Sequence, residues 1–161
     1  MDILTVSLFG NREITDLRRV STRLKPLIEE LMRGEMYVSF LIGRNGEFDE
    51  YAASIIKKTK SECGAENCEI SLVLPYSVAD VDYYERYYDS VIIPDKSCSV
   101  HVKAAITARN RWMIDRSDMV IFYVERTGGG AYDAMKYAKC RNKRCINLYD
   151  DGKSGEDALD G

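Results

Sequence analysis

Three loops in this chain carry residue types that could hold an anion. The first follows an apolar run, Ile3 to Phe9, and reads Gly10-Asn11-Arg12-Glu13. The second follows Met36 to Ile42 and reads Gly43-Arg44-Asn45-Gly46, with Phe48 and Asp49 just beyond. The third follows Met119 to Val124 and passes through Glu125, Arg126 and Thr127 into Gly128-Gly129-Gly130. Consecutive glycines between a buried strand and a helix let the backbone approach a ligand without Cβ obstruction, and the helix N-terminus offers free N–H groups to a phosphate. Arginine beside glycine at a strand end suits bidentate recognition of phosphate or carboxylate. Each loop alone has a plainer reading, as a tight connection or as a solvated arginine. Three at one sheet edge argue for a shared anionic guest, with Arg12, Arg44 and Arg109 meeting its charge, the glycines its phosphate, and Asp49 or Asp133 its sugar.

The elements that must position these loops follow from periodicity. Ile3 to Phe9 is rich in apolar, β-favouring residues, as a strand covered on both faces requires. Thr15 and Asp16 offer an N-cap, and Leu17, Val20, Leu24, Leu27, Ile28 and Leu31 recur at helical spacing up to Gly34, with Pro26 predicting a kink or break. A helix opening near Glu47 presents Phe48, Tyr51, Ala52, Ile55 and Ile56, and Ile70 to Leu74 is a third strand. The segment from Ser77 to Lys96 is less regular and groups Tyr83, Tyr84, Tyr87 and Tyr88, which could lid a cleft or pack partly against the domain. A helix over Val100 to Arg116, with Val102, Ala105, Ile106, Trp112 and Met113 on its apolar side, precedes the fourth strand. A helix from about Ala131 to Cys140 leads to the fifth, Arg144 to Tyr149. Alternating strands and helices predict a Rossmann-like, three-layer α/β domain over residues 1–150, its mostly parallel sheet of about five strands flanked by helices. In such a sheet, ligands sit beyond the carboxyl ends of the strands where strand order reverses. Residues 151–161 read as a loose acidic tail.

Composition narrows the function classes. With 161 residues, 45% hydrophobic and 30% charged, the chain fits one domain with a real core. A net charge of −3 gives no whole-molecule reason to expect nucleic-acid binding. No apolar segment approaches membrane-spanning length, and the acid at Asp2 argues against a secretory leader, so a cytoplasmic location is expected. Five cysteines (Cys63, Cys68, Cys98, Cys140 and Cys145) without a CxxC suggest neither a disulfide framework nor a zinc ribbon, and read as small, mostly buried thiols. His101 is the single histidine, which disfavours a metal site, and neither metal nor cofactor is expected.

The segments FGNRE, GRNGEFDEYAA and RNRWMIDRSDMVIFYVERTGGGAYDAMKYA together resemble the YpsA-like branch of the SLOG superfamily, related to the DprA and LOG proteins. The resemblance spans about Val6 to Leu148 and implies a Rossmann-like domain that binds or senses a nucleotide or a nucleotide-derived, ADP-ribose-like ligand. By position, the family motifs fall on Gly10 and Arg12, on Gly43, Gly46, Phe48 and Asp49, and on Asp118 with Gly128 to Gly130. Asn11 stands where many relatives have His, and the hydroxyl of the usual Gly-Gly-Thr is missing or supplied by Thr127. The enzymatic LOG proteins, which cleave the N-glycosidic bond of nucleoside monophosphates, imply Arg109 as a working arginine. Their glutamate falls at about Ala134, leaving Asp133 as the nearby carboxylate. A hydrolase using Arg109 and Asp133 is therefore one alternative, and a DprA-like DNA-binding protein, disfavoured by the acidic pI, is another. Relatives often self-associate, so a homo-oligomer is a further expectation. Asp115 and Asp118 could accept ribose hydroxyls, although Asp118, directly before a strand, reads equally as a cap. Trp112 could stack on a base or belong to the core.

Overall fold

The computed structural model describes residues 2–94 and 101–150; the tail over 151–161 and Cys98 lie outside the described residues. In chain order the elements are β1 (Ile3–Gly10), α1 (Leu17–Arg33), β2 (Tyr37–Ile42), α2 (Glu47–Cys63), β3 (Cys68–Val73), α3 (Val81–Tyr87), β4 (Ser90–Ile92), α4 (Val102–Arg116), β5 (Met119–Tyr123), α5 (Gly129–Cys140) and β6 (Arg144–Asn147). They form a three-layer α/β sandwich around one sheet of order β4-β3-β2-β1-β5-β6, parallel at every pairing. Strand order reverses at β1, which lies between β2 and β5. The ends of these three strands carry the three glycine loops.

Side-chain alternation along the strands builds a core on each face. Val6 and Leu8 of β1, with Ile121 and Tyr123 of β5, pack towards the apolar stripe of α1 (Val20, Leu24, Ile28, Met32) and towards α2. Phe9, Val120 and Phe122 point the other way, under Met113 and Ile114 of α4 and Ala134 and Ala138 of α5. Ser7 also faces α4, where its hydroxyl lies 2.6 Å from that of Ser117, so this buried polar group is satisfied.

One sequence expectation is sharpened and three are corrected. The sheet has six strands: β4 is a three-residue edge strand, too short to stand out before Pro94. Helix α1 runs unbroken through Pro26, whose ring is exposed, so the carbonyl it frees faces water. The cysteines are not mostly buried: Cys63 and Cys140 are exposed near helix C-termini, while Cys68 and Cys145 are buried in strands. Val102 is exposed rather than on the packed side of α4; that side is made by Ala105, Arg109, Met113 and Ile114.

Candidate functional site

Glycines at the ends of β1 and β2 are needed to admit other side chains of the protein. A Cβ on Gly10 would lie 2.1 Å from Cγ of Phe48. One on Gly43 would meet Arg109 Nη1 at 2.7 Å, and one on Gly46 would meet Arg12 Cα at 2.5 Å. Phe48 is fully buried and stacks on Tyr123 with ring centroids 6.2 Å apart. These contacts interlock the first two loops before any guest is considered.

Hydrogen bonds fasten the loops further. Glu47 N–H donates to the Arg12 carbonyl at 2.8 Å, and the Glu47 carboxylate accepts from Ile14 N–H at 3.0 Å. Asn11 is buried; its side-chain oxygen accepts from Glu125 N–H at 2.6 Å and its own N–H donates to the Tyr123 carbonyl at 3.1 Å. The Glu125 carboxylate accepts from both the N–H and the hydroxyl of Thr15. Asn11 is thus a tie between the first and third loops, its side-chain oxygen and backbone N–H turned to the protein.

Between these loops and α4 lies a small polar niche of about 90 Å³, lined by Phe9, Gly10, Arg12, Asn45, Asp49, Ile106, Arg109, Asn110, Gly130 and Ala131. Arg109 is 4% exposed and each nitrogen of its guanidinium donates once: Nη1 to the Val73 carbonyl, Nη2 to Asn45 Oδ1 and Nε to Asn110 Oδ1, each at 2.8 Å. Asp49 is 8% exposed and accepts from Asn45 N–H at 2.9 Å. Burial pushes its carboxyl up to about 6, against the opposing pull of the Asn45 N–H and the nearby Arg109 charge. Burial in turn lowers the pKa of Arg109, with Asp49 partly restoring it. Beyond the niche, and sharing Arg12, Ile106, Asn110 and Gly130 with it, a groove of about 480 Å³ runs between α4 and α5 past Lys103, Arg111, Asp133 and Tyr137. A larger depression of about 770 Å³ lies on the outer side of α4, but its lining residues, from His101 to Arg111, are all exposed and no strand end reaches it. The niche and groove, at the switch point of the sheet, are the better site.

The third loop differs from the other two. Gly128 and Gly129 have φ of 88° and 85°, a left-handed conformation that favours glycine, and a Cβ on Gly128, Gly129 or Gly130 would meet nothing within 4 Å. No side chain caps the N-terminus of α5, Thr127 included, and Thr127 is exposed. The structure therefore brings Gly10, Arg12, Asp49, Arg109 and Gly130 around the niche, and Arg12, Gly129, Gly130 and Asp133 around the groove.

Other expected site residues lie elsewhere. The Arg44 guanidinium is turned towards α3, 3.0 Å from the Glu50 carboxylate and 4.7 Å from the centre of the Tyr84 ring. Asp115 accepts from the Tyr137 hydroxyl at 2.8 Å and lies 3.4 Å from Arg141, in the last turn of α4 beside the amino end of β5, at the sheet edge opposite the niche. Asp118 caps that same edge, accepting from Thr5 N–H at 2.9 Å. Trp112 is half-buried with Arg116 over its ring at 4.0 Å. Asp133 pairs with Lys136 at 3.5 Å and lines the groove, whereas Arg109 lines the niche. Sequence reading missed Asn45 and Asn110, the two amides that hold Arg109; the Arg-Asn doublets Arg44-Asn45 and Arg109-Asn110 were the available signal.

No protein-family model and no curated protein matches the chain. Among solved structures it is similar to DNA processing protein A (DprA) from Streptococcus pneumoniae, with a TM-score of 0.64 over 95% of this chain and 54% of that one, at 14% identity. The fold is DprA-like. At that identity the likeness concerns the Rossmann-like architecture, and this chain spans about half the length of the DprA chain. Among the described residues, no helix is long and apolar enough to cross a membrane, and no group of three or more His, Cys, Asp or Glu could hold a metal ion.

Proposed function

We propose that this domain, of the YpsA-like branch of the SLOG superfamily, binds or senses a nucleotide-derived ligand at the β1/β5 switch point. One observation carries the reading. Of the three arginines expected to meet an anion, Arg109 is buried with each of its nitrogens donating to a protein acceptor, and Arg44 is paired with Glu50. Arg12 is exposed on the cleft with no acceptor for its guanidinium among the described residues. Opposite it stands the uncapped N-terminus of α5, whose glycines leave open space. A free guanidinium facing free backbone N–H groups suits a phosphate. The exposed Cys63 and Cys140 thiols suit a reducing, cytosolic compartment.

Thermal-shift screening against a nucleotide panel tests this, because a ligand that binds only the folded form raises apparent stability by mass action. The expected result is a stabilising ligand whose effect Arg12→Ala abolishes while leaving the unliganded melting temperature within about 2 °C, as for an exposed side chain without partners. A panel with no stabilising member contradicts the reading. The N-glycoside hydrolase is the weaker alternative, because the carboxylate beside Arg109 is Asp49, while Asp133 lines the other compartment; release of free base from nucleoside monophosphates would favour it. The name of DNA processing protein A makes nucleic acid a competing guest, for which salt-dependent retention of single-stranded DNA is the sign.

A further inference from the structure

The depression on the outer side of α4 is larger than niche or groove, at about 770 Å³, and adjoins the groove across Lys103, Thr107 and Arg111. Its floor is short and apolar: Ala104, Ala108 and the methyl of Thr107 leave room that longer side chains would fill. Its rim is positive, with Lys103 and Arg111 and no Asp or Glu among the lining residues. A hollow of that make-up fits an aromatic ring flanked by carboxylates, since the ring buries against methyl groups while the charges pair at a solvated rim.

An element of that kind stands elsewhere on the same chain. None of the seven residues of α3 is buried, and Tyr83, at 63% exposure, is the most exposed large hydrophobic side chain of the described residues. Two other tyrosines of this helix are committed: Tyr84 carries the Arg44 guanidinium over its ring at 4.7 Å, and Tyr87 carries the Lys57 ammonium at 3.7 Å. Tyr83 has an edge contact with Tyr84, ring centroids 5.5 Å apart, and no cation over it among the described residues. Asp80, Asp82 and Glu85 stand exposed on the same short segment. From Tyr76 to Pro94 the chain has four acids against one base, whereas from His101 to Asp150 it has ten bases against five acids. The net charge of −3 therefore hides an acidic β4 end and a basic half around β5 and β6. A lone exposed tyrosine is ordinary. A tyrosine among acids, on a chain that also bears an apolar hollow rimmed by bases, is one half of a complementary pair. The two patches share no residue, so the contact they make between copies is heterologous.

We propose that the α4 depression is a docking site for a second copy of this chain, which inserts Tyr83 against Ala104 and Ala108 and sets Asp80, Asp82 and Glu85 against Lys103 and Arg111. One anchoring ring with a charged rim makes a small contact, so the association is weak and salt-sensitive. The test is sedimentation velocity of the whole chain from about 5 to 500 µM, the range that populates a small interface. The expected result is a mass that rises above the 18.3 kDa of one chain with concentration, and falls back when NaCl goes from about 0.05 to 0.5 M. Tyr83→Ala removes the knob and Ala108→Glu places an acid in the hollow, both at exposed helix positions. Each variant lowers the association constant at least about tenfold, as loss of a buried anchor does. Mixing the two restores association, because the intact knob of one meets the intact hollow of the other, and the complex stops at one copy of each. That restoration also shows both variants to be folded. A chain that stays monomeric throughout the range overturns the inference, and so does a mixture that fails to associate. Association that both variants leave intact runs through another surface and overturns it as well. Loss with Ala108→Glu alone puts a different segment in the hollow, such as the acidic residues 151–161, with the same consequence.

Discussion

The loops after β1 and β2 and the loop after β5 look alike in sequence, glycine-rich turns leading to helices, yet they do opposite things. At Gly10, Gly43 and Gly46 the space a Cβ would take is filled by Phe48, Arg109 and Arg12. At Gly128, Gly129 and Gly130 it is empty. Glycine in the first two loops lets the protein pack against itself and builds a rigid wall. Glycine in the third allows a left-handed turn and leaves an uncapped helix N-terminus facing that wall. A cleft arises because one side is locked and the other is open. Residue type alone does not distinguish the two uses of glycine; the neighbours of the missing Cβ do.

The largest effect that sharpens this comparison is expected from Gly43→Ala. Its methyl would press on the buried guanidinium of Arg109 and break bonds that hold the niche, so urea unfolding should show a loss of roughly 3 kcal/mol, from overpacking and unpaired buried donors together. Gly128→Ala meets no neighbour and should lose only the conformational cost of holding an alanine at φ 88° and ψ 161°, a region that glycine alone enters readily, on the order of 1–2 kcal/mol. Equal losses at both positions would break the contrast.

Next in size is the pH dependence set by the locked wall. The Asp49 carboxyl rises from an ordinary 3.8 to about 6 on folding, so between those values the folded state holds the proton more tightly than the unfolded chain. Its contribution to stability is complete below about pH 4 and is lost as pH rises through 6. Asp49→Asn keeps an acceptor for the Asn45 N–H and removes this loss. The variant should be more stable than the parent at pH 7.5 by on the order of 2 kcal/mol, with a flatter stability profile between pH 4 and 6 in denaturant titrations at a series of pH values. A parent and variant with parallel profiles would show that Asp49 titrates normally.

The smallest effect should come from Arg44→Ala. This arginine was grouped with Arg12 on sequence grounds, but its contacts are with Glu50 and the Tyr84 ring. The exposed pair contributes about 0–1 kcal/mol, and affinity for any cleft ligand should change by less than about twofold. A tenfold loss of affinity would return Arg44 to the site.

Much of the fold was legible because the strands are continuous apolar runs and α1 carries a clear stripe, whereas α4, with a buried arginine on its packed side, does not; β4 escaped because three residues at a sheet edge give no period to read. The site was legible in its loops but not in their mutual fit. Gly10 and Phe48, or Gly43 and Arg109, meet only through the parallel register of β1 with β2 and the placement of α4, which no local pattern encodes. Asp115 was misplaced for a different reason. A residue just before a strand must lie at its amino end, so Asp115 and Asp118 belong to the edge opposite the ligand, where Tyr137 and Thr5 engage them.

The open side of the cleft is tested most directly at Gly130, whose added methyl would meet nothing in the protein yet stand at the junction of niche and groove. Melting curves of the parent and of Gly130→Ala, with and without the best ligand from the nucleotide panel, decide the matter. The account predicts a variant at least as stable as the parent without ligand, since alanine is the better helix former by about 0.5–1 kcal/mol, and a ligand-induced shift that disappears. A variant that keeps the full shift would contradict it.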